Sequence, residues 1–304
     1  QVYNDIQREY LAFAEQLNIP DIRFVPISAL RGDNVVNASQ RMPWHAGPTL
    51  MNLLETVTLS KDQALKAFRL PVQYVNRPNL DFRGFCGTIA SGEIRPGDQI
   101  VALPSGKRSK VKAIVTADSE LPLAFAGQAI TLTLEDEIDI SRGDMIVRAD
   151  EAHPNVAQAF EANIVWMNES PLTVGKEYAF KLAGKQVFGR ISAIDYRVDV
   201  NTLEQLPANG LGLNEIALCR IETNAPVVFD AYRDCRGSGS FIVIDRLTNA
   251  TSGAGMIRNV LAGTAKAERD SDAARWQAFE ADLDDLIRKH FPDLNTAEVR
   301  ARIK

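Results

Sequence analysis

The sequence predicts a multi-domain chain: part of an α/β domain, then two β barrels, then a helical tail. Three observations carry that prediction. The first 60 residues set apolar side chains at helical spacing on either side of one strand-like run. From about Arg69 the apolar period falls to two, with Gly and Pro turns between short runs. After Gly263 a polar linker leads back into a helical stripe.

The opening segment, 1–60, reads helix, strand, loop, helix. Val2, Ile6, Tyr10, Phe13 and Leu17 recur at steps of three and four, one face of a helix that Asn18-Ile19-Pro20 ends. The stretch "RFVPISALRGDNV" follows. Phe24, Val25 and Ile27 suit a buried strand, whereas Ser28, Arg31, Gly32 and Asp33 suit a loop at its carboxyl end. A second helix is expected from near Pro48 to around Val57, with Leu50, Leu53 and Leu54 inward. One strand with two helices is an incomplete α/β sheet, because such a strand needs neighbours on its edges.

Residues 67–150 read as the first barrel. "LPVQYVN", "GFCGTIASG", "DQIVALPSG", "KVKAIV", "AITLTLED" and "DMIVRAD" are short strands punctuated by turns such as "RPGD" and "PSGK". Ile130, Leu132 and Leu134 alternate with Thr131 and Thr133, as a strand with one buried face should. Six or so strands in this length close into a small barrel. "EAHPNV" breaks the pattern. Residues 155–264 then supply "FEANIVWM", "EYAFKLAG", "QVFGRISAIDYRVDV", "EIALCRIET", "APVVFD" and "SFIVIDR" as a second barrel. The last segment, 265–304, is a linker and a helix with Trp276, Phe279, Leu283, Leu286 and Ile287 as its apolar stripe.

Composition bounds the function. The chain has 304 residues, a net charge of −5 and a pI near 5.4, which argues against a general nucleic-acid binder. No apolar run is long enough to span a membrane. Cys86, Cys219 and Cys235 are odd in number and far apart, so they make neither a metal motif nor a disulfide framework; the expectation is a reducing cytoplasm. The first residue is Gln1 and a helix is already under way, so the chain is expected to be the C-terminal part of a longer protein.

Ser28-Ala29-Leu30 sits where backbone N–H groups after a strand end can donate to a purine carbonyl. Alone, such a tripeptide is an ordinary strand-to-loop junction. Its setting is more specific. Residues 21–60, "DIRFVPISALRGDNVVNASQRMPWHAGPTLMNLLETVTLS", resemble the end of the GTPase domain in elongation factor 1-alpha and its relatives. The segments "FRLPVQYVNRPNLDFRGFCGTIASGEIRPGDQIVALPSGKRSKVKAIV", "ITLTLEDEIDISRGDMIV", "NIVWMNESPLTVGKEYAFKLAGK" and "FIVIDRLTNATSGAGMI" resemble one branch more closely, the GTPase large subunits of bacterial sulfate adenylyltransferase.

That resemblance implies a fold: the remnant of an α/β P-loop GTPase domain, followed by elongation-factor-like domains 2 and 3 as two β barrels and a C-terminal helix. It also implies a function. Members of this family hydrolyse GTP and partner a small catalytic subunit that makes adenosine 5′-phosphosulfate and pyrophosphate from ATP and sulfate, on the route of sulfate assimilation toward cysteine. GTP and Mg are the implied cofactors of the full-length protein, and none is expected for this chain alone. The small catalytic subunit is the implied partner, with neither nucleic acid nor membrane. The family's guanine-base loop carries over onto Ser28, Ala29 and Leu30.

Its other nucleotide motifs do not carry over. No GxxxxGK[ST] is present, so there is no nest of amides, no Lys for the phosphates and no hydroxyl for Mg. "DFRG" at Asp81–Gly84 and "NRPN" at Asn76–Asn79 formally approach two GTPase motifs, but both follow the SAL loop, where the family has none. They read as a polar loop between strands. His45, His153 and His290 never fall at HxxH or HxGH spacing and read as surface or turn residues. Glu135, Asp136, Glu137 and Asp139 read as a solvated loop, and Cys86 as a core residue. No residue of this chain is expected to be catalytic. The rival readings are a translation-type GTPase delivering an RNA cargo and a non-enzymatic two-barrel scaffold.

Overall fold

A computed structural model describes residues 1–17, 19, 21–57, 66–79, 82–117 and 119–261. The expected tail helix, with its stripe from Trp276 to Ile287, lies outside the described residues. The chain divides into two units, Gln1–Lys61 and Asp62–Lys304.

The first unit holds a helix, Val2–Ala14, continued by a 3₁₀ turn, Glu15–Leu17, and a short helix, Leu50–Thr56. Thr49 caps the second helix by accepting from the Asn52 amide at 3.3 Å. The expected apolar face of the first helix exists as a stripe but is not covered. Val2, Ile6, Tyr10, Phe13 and Leu17 are all exposed, and Ala14 alone in that helix is buried. Leu54, expected inward, is 59% exposed, while Leu53 is half-buried.

The strand expected through Ile27 does not form. Residues 21–27 lie in no ladder among the described residues; Ser28, just beyond them, makes an isolated bridge to Asp33. Strand propensity is local, but a strand exists only through the N–H and C=O groups of its neighbours. What holds this segment is side-chain contact. The Tyr3 hydroxyl donates to the Phe24 carbonyl at 3.0 Å, and the Tyr10 ring meets Phe24 edge-on at 5.7 Å.

In the second unit, the first barrel is antiparallel throughout. Leu70–Pro71 pairs with Met145–Arg148, then Gln99–Leu103, Lys107–Val115, Ala129–Leu134, Gly84–Thr88 and finally Tyr74–Asn76 follow in spatial order. The expected single strand "LPVQYVN" is therefore both the first and the last member of the path. It breaks at Val72 and Gln73, yet the Val72 amide donates to Asp144 O at 2.9 Å and the Gln73 amide to Cys86 O at 2.8 Å. One bent run thus bonds to a different neighbour at each end and closes the sheet, leaving no free edge. Gly87 is required at the crossing: a Cβ there would lie 2.3 Å from the Pro71 carbonyl oxygen. Phe68, Leu70, Phe85, Ile100, Ile114 and Leu132 fill the interior.

The second barrel closes without a break. Its order is Glu177–Leu182, Ser240–Asp245, Thr251–Val260, Asn155–Trp166, Ile216–Phe229 and Lys185–Val198, which pairs back to Glu177–Leu182. The two expected strands "EIALCRIET" and "APVVFD" are one long strand, Ile216–Phe229. The Asn224 side chain caps the irregularity between them, its Oδ1 accepting from the Phe188 amide at 3.1 Å. Aromatic rings fill the interior: Phe160 lies 5.1 Å from Phe229 and 5.7 Å from Phe241.

The barrels meet over a small apolar cluster, in which Val101, Leu103, Met145 and Val147 from the first pack with Val228 from the second. Beside it Arg69 is almost wholly buried. Its Nε lies 3.0 Å from Asp230 Oδ2 and its Nη2 3.0 Å from Oδ1, and the same guanidinium donates to the carbonyls of Phe68 and Ala152 at 3.0 and 2.9 Å. Asp230 also accepts from Ser238 Oγ at 2.6 Å. Lys66 Nζ donates to the Asp234 carbonyl, again at 2.6 Å.

Two expectations follow. Arg69→Ala leaves the Asp230 carboxylate buried without its cation, and should lower the stability of the two-barrel unit by about 3 kcal/mol. Urea unfolding with Asp230→Ala and the double variant checks this; additive losses would show that the pair is not coupled. In the first unit, the amides of Phe24, Val25 and Ile27 should exchange with solvent far faster than those of Ile130–Leu134, and limited proteolysis should cut there first. Equal protection at the two places would contradict the absence of a ladder.

Candidate functional site

Ser28, Ala29 and Leu30 form the head of a tight loop. The Ser28 amide donates to Asp33 O at 3.1 Å, which makes a neck, and the Ser28 carbonyl accepts from the amides of Arg31 at 3.2 Å and Gly32 at 2.8 Å. Gly32 takes a left-handed φ of +75°, which turns the chain back to the neck. Among the described residues, the amides of Ala29 and Leu30 find no acceptor, and Leu30 is 95% exposed. The tip therefore presents two adjacent N–H donors and an open leucine.

The neck is held from beneath. The Asp33 carboxylate accepts from Ser39 Oγ at 2.8 Å and is ion-paired with Arg41. The hydrogen bond from Arg41, followed by that from Ser39, holds the Asp33 carboxyl below the usual carboxylate range. Asn34, buried and left-handed at φ +55°, lies directly behind it.

Two adjacent amides can donate to a carbonyl oxygen such as that of a purine, and little more. No GxxxxGK[ST] precedes this turn in the chain, so the residues present do not supply the phosphate cradle that a whole nucleoside triphosphate needs. The two near-miss motifs lie in the first barrel: Asn76 pairs opposite Gly84, and the Arg83 guanidinium reaches Asp139 at 3.5 Å. Asp81 lies outside the described residues. His45 stacks near the rings of Tyr3 and Trp44, His153 is exposed, and His290 is not among the described residues.

Cys86 departs from expectation. Phe85 and Gly87 point into the barrel, so period-two alternation turns Cys86 to the outer wall, where it is half-buried 3.3 Å from Thr131 Oγ1. The acidic loop is solvated as expected but not idle. Asp139 also meets Lys107 at 3.4 Å, and Asp136 accepts from Ser109 Oγ at 2.9 Å. Sequence reasoning missed the cleft beside it, about 310 Å³, walled by Phe82, Arg83, Phe85, Lys112, Leu134 and Glu135. No local motif marks it, because its walls come from three strands.

The Asp33 anchor carries a pH signature. Its folded-state pKa lies below the unfolded value of about 3.9, so its stabilising contribution is full above that value and is lost as pH falls toward the folded pKa. Acidification should therefore lower the protection of the Ser28 and Arg41 amides relative to their intrinsic exchange rates at each pH, and Asp33→Asn should remove that acid step. An acid step that survives in Asp33→Asn would assign it to another group.

Residues 159–258, which span most of the second barrel, match the family described as GTP-eEF1A C-terminal domain-like. The whole chain is 64% identical to a protein of Chromobacterium violaceum over 305 residues, covering 100% of this chain and 63% of that one. It is 59% identical to one of Laribacter hongkongensis over 300 residues, covering 98% and 62%. Both are named sulfate adenylyltransferase subunit 1. The chain thus spans about three fifths of the length of these curated relatives. Crystal structures of sup35 complexed with GMPPNP and with GDP superpose with TM-scores of 0.61 and 0.62 at 20% identity, covering 85% of this chain and 64% and 65% of theirs. At that identity the likeness shows the shared fold alone, which in this chain includes the two β barrels. In sequence the chain is similar along its whole length to proteins named sulfate adenylyltransferase subunit 1, and residues 159–258 match the GTP-eEF1A C-terminal domain-like family.

Proposed function

We propose that this chain is part of the GTP-hydrolysing regulatory subunit of sulfate adenylyltransferase. In that role GTP hydrolysis drives the formation of adenosine 5′-phosphosulfate and pyrophosphate from ATP and sulfate by a separate, small catalytic subunit in the cytoplasm. The observation that carries the reading is 64% identity over the full length of the chain to a protein of that name. The name itself, subunit 1, supports a partner subunit.

Within this reading, the chain's own residues have limited chemical duties. The amides of Ala29 and Leu30 donate to the carbonyl of the guanine base, while Asp33, Ser39 and Arg41 keep the turn closed. Nothing in residues 1–57 supplies a phosphate cradle or a Mg ligand; those belong to the part of the relatives' length that this chain does not span. The two barrels, joined through Arg69 and Asp230, offer the catalytic subunit a fixed contact surface. GTP when bound supplies the free energy of hydrolysis. Coupling requires that its states favour different packings, since a ligand shifts an equilibrium only through differential binding.

The expected behaviour of the isolated chain is binding without activation. Each charge-assisted phosphate contact that is lacking removes roughly 1.5–3 kcal/mol, so calorimetric titration should show no GTP binding. A pull-down should still retain the catalytic subunit, and a pyrophosphate-release assay with ATP and sulfate should show no GTP-dependent stimulation. Micromolar GTP affinity or GTP-dependent stimulation by this chain would overturn the assignment of roles. Failure to retain the catalytic subunit would take the docking surface away from the barrels.

A further inference from the structure

We propose that Asn34 is the positioning residue of the base turn: its buried carboxamide sets where the free amides of Ala29 and Leu30 point. The proposal rests on the reading of residues 28–30 as the guanine-base loop.

Asn34 is 3% exposed and stands one residue beyond the neck of the loop. Its side chain bridges two strands of backbone that are remote in sequence from each other. Nδ2 donates to the Pro26 carbonyl at 3.0 Å, on the chain entering the turn, and Oδ1 accepts from the Ser39 amide at 2.7 Å, on the chain leaving it. Its own carbonyl accepts from the Leu50 amide at 2.9 Å, at the start of the second helix. Entering chain, leaving chain and helix are therefore tied at one residue.

The chemistry of this position is restrictive. One partner is an acceptor and the other a donor, so the side chain must offer both a donor and an acceptor from one planar group. Aspartate keeps the bond to Ser39 but turns a second acceptor toward Pro26 O. Alanine offers neither bond. The backbone at φ +55° further narrows the choice to residues that tolerate the left-handed region, among which asparagine is favoured. Glycine keeps the backbone and loses both bonds, which makes it the informative substitution.

No ladder fixes residues 21–27, so these side-chain bonds carry the registration that a sheet would otherwise give. A small drift of Pro26 relative to Ser39 rotates the neck, and with it the two free amides. Two neutral N–H donors discriminate through direction, so their misalignment should be felt by a ligand carbonyl and by nothing else.

The test has two parts. In this chain, Asn34→Gly should speed solvent exchange of the Ser28 and Ser39 amides while leaving Ile130–Leu134 unchanged; no acceleration would overturn the clamp. The second part uses the subunit at its relatives' full length and two probes, GDP and the 2-aminopurine analogue that lacks the 6-carbonyl. Asn34→Gly should weaken GDP about tenfold, the loss of roughly 1.4 kcal/mol, and leave the analogue's affinity unchanged. Asn34→Asp should fall between Asn34→Gly and the parent. Ala29→Pro removes one donor at a turn position that proline favours, and is the control for the base-turn reading itself.

The outcomes separate. Selective loss of GDP in both Asn34→Gly and Ala29→Pro supports the proposal. Selective loss in Ala29→Pro alone overturns the role of Asn34 and leaves the base turn standing. Equal weakening of both probes in Asn34→Gly makes Asn34 a general stabiliser and overturns positioning. No selective loss in either variant removes the base-turn reading, and the proposal with it.

Discussion

The buried pair of Arg69 and Asp230 is the constraint on which the arrangement of the two barrels depends. Each barrel is closed, so neither offers the other a sheet edge to extend, and only side chains can join them. The apolar cluster around Val101, Met145 and Val228 excludes water but is non-directional; it would tolerate sliding. A planar guanidinium on two carboxylate oxygens would not. Arg69 is itself fixed, because its amide and carbonyl both bond to the strand end at Ser91 and Ala90. Asp230 follows the long strand Ile216–Phe229 and is held by Ser238. The pair thus connects one barrel's backbone to the other's through a geometry with few alternatives. Its worth lies in that definition more than in net stability, since desolvating both charges offsets much of their attraction.

The barrels were legible in the sequence because their signal is local and repeated. Alternation through Ile130, Leu132 and Thr133, with glycine at left-handed turns such as Gly97 and Gly106, needs no knowledge of what lies across the sheet. Closure was less legible. A reader sees "LPVQYVN" as one strand, and only the pairing shows that its halves serve opposite ends of the path. Asn224 likewise interrupts the pattern, at a bulge where the strand Ile216–Phe229 shifts register against Asn155–Trp166.

The opening segment is only partly legible for the converse reason: both helices form, and the strand does not. Phe24, Val25 and Ile27 have strand propensity, and Val2 to Leu17 have helical period, but both patterns describe surfaces that want a partner. Periodicity tells which side chains share a face; it does not say that the face is covered. The proposed base turn is suggested only by resemblance to a family, since Ser-Ala-Leu has no distinctive chemistry. Asn34 was invisible as more than a loop residue, because its role depends on Pro26 and Ser39 coming within reach of one carboxamide.

Under the proposed reading of residues 28–30 as a base turn, these features fit a division of labour between selecting a base and capturing a nucleotide. A neutral amide donating to a carbonyl is worth about 0.5–1.5 kcal/mol net, so two of them can separate one purine from another without contributing much affinity. Capture needs phosphate contacts, where charge-assisted bonds are about twice as strong. A turn that carries selection alone must be accurate, because weak bonds discriminate only when aligned. That requirement accounts for the concentration of buried and charged groups beneath a tip as plain as Ala29 and Leu30. Asp33, held ionised by Arg41 and Ser39, and Asn34, spanning Pro26 and Ser39, spend strong interactions on the backbone so that two weak donors face outward in a fixed direction.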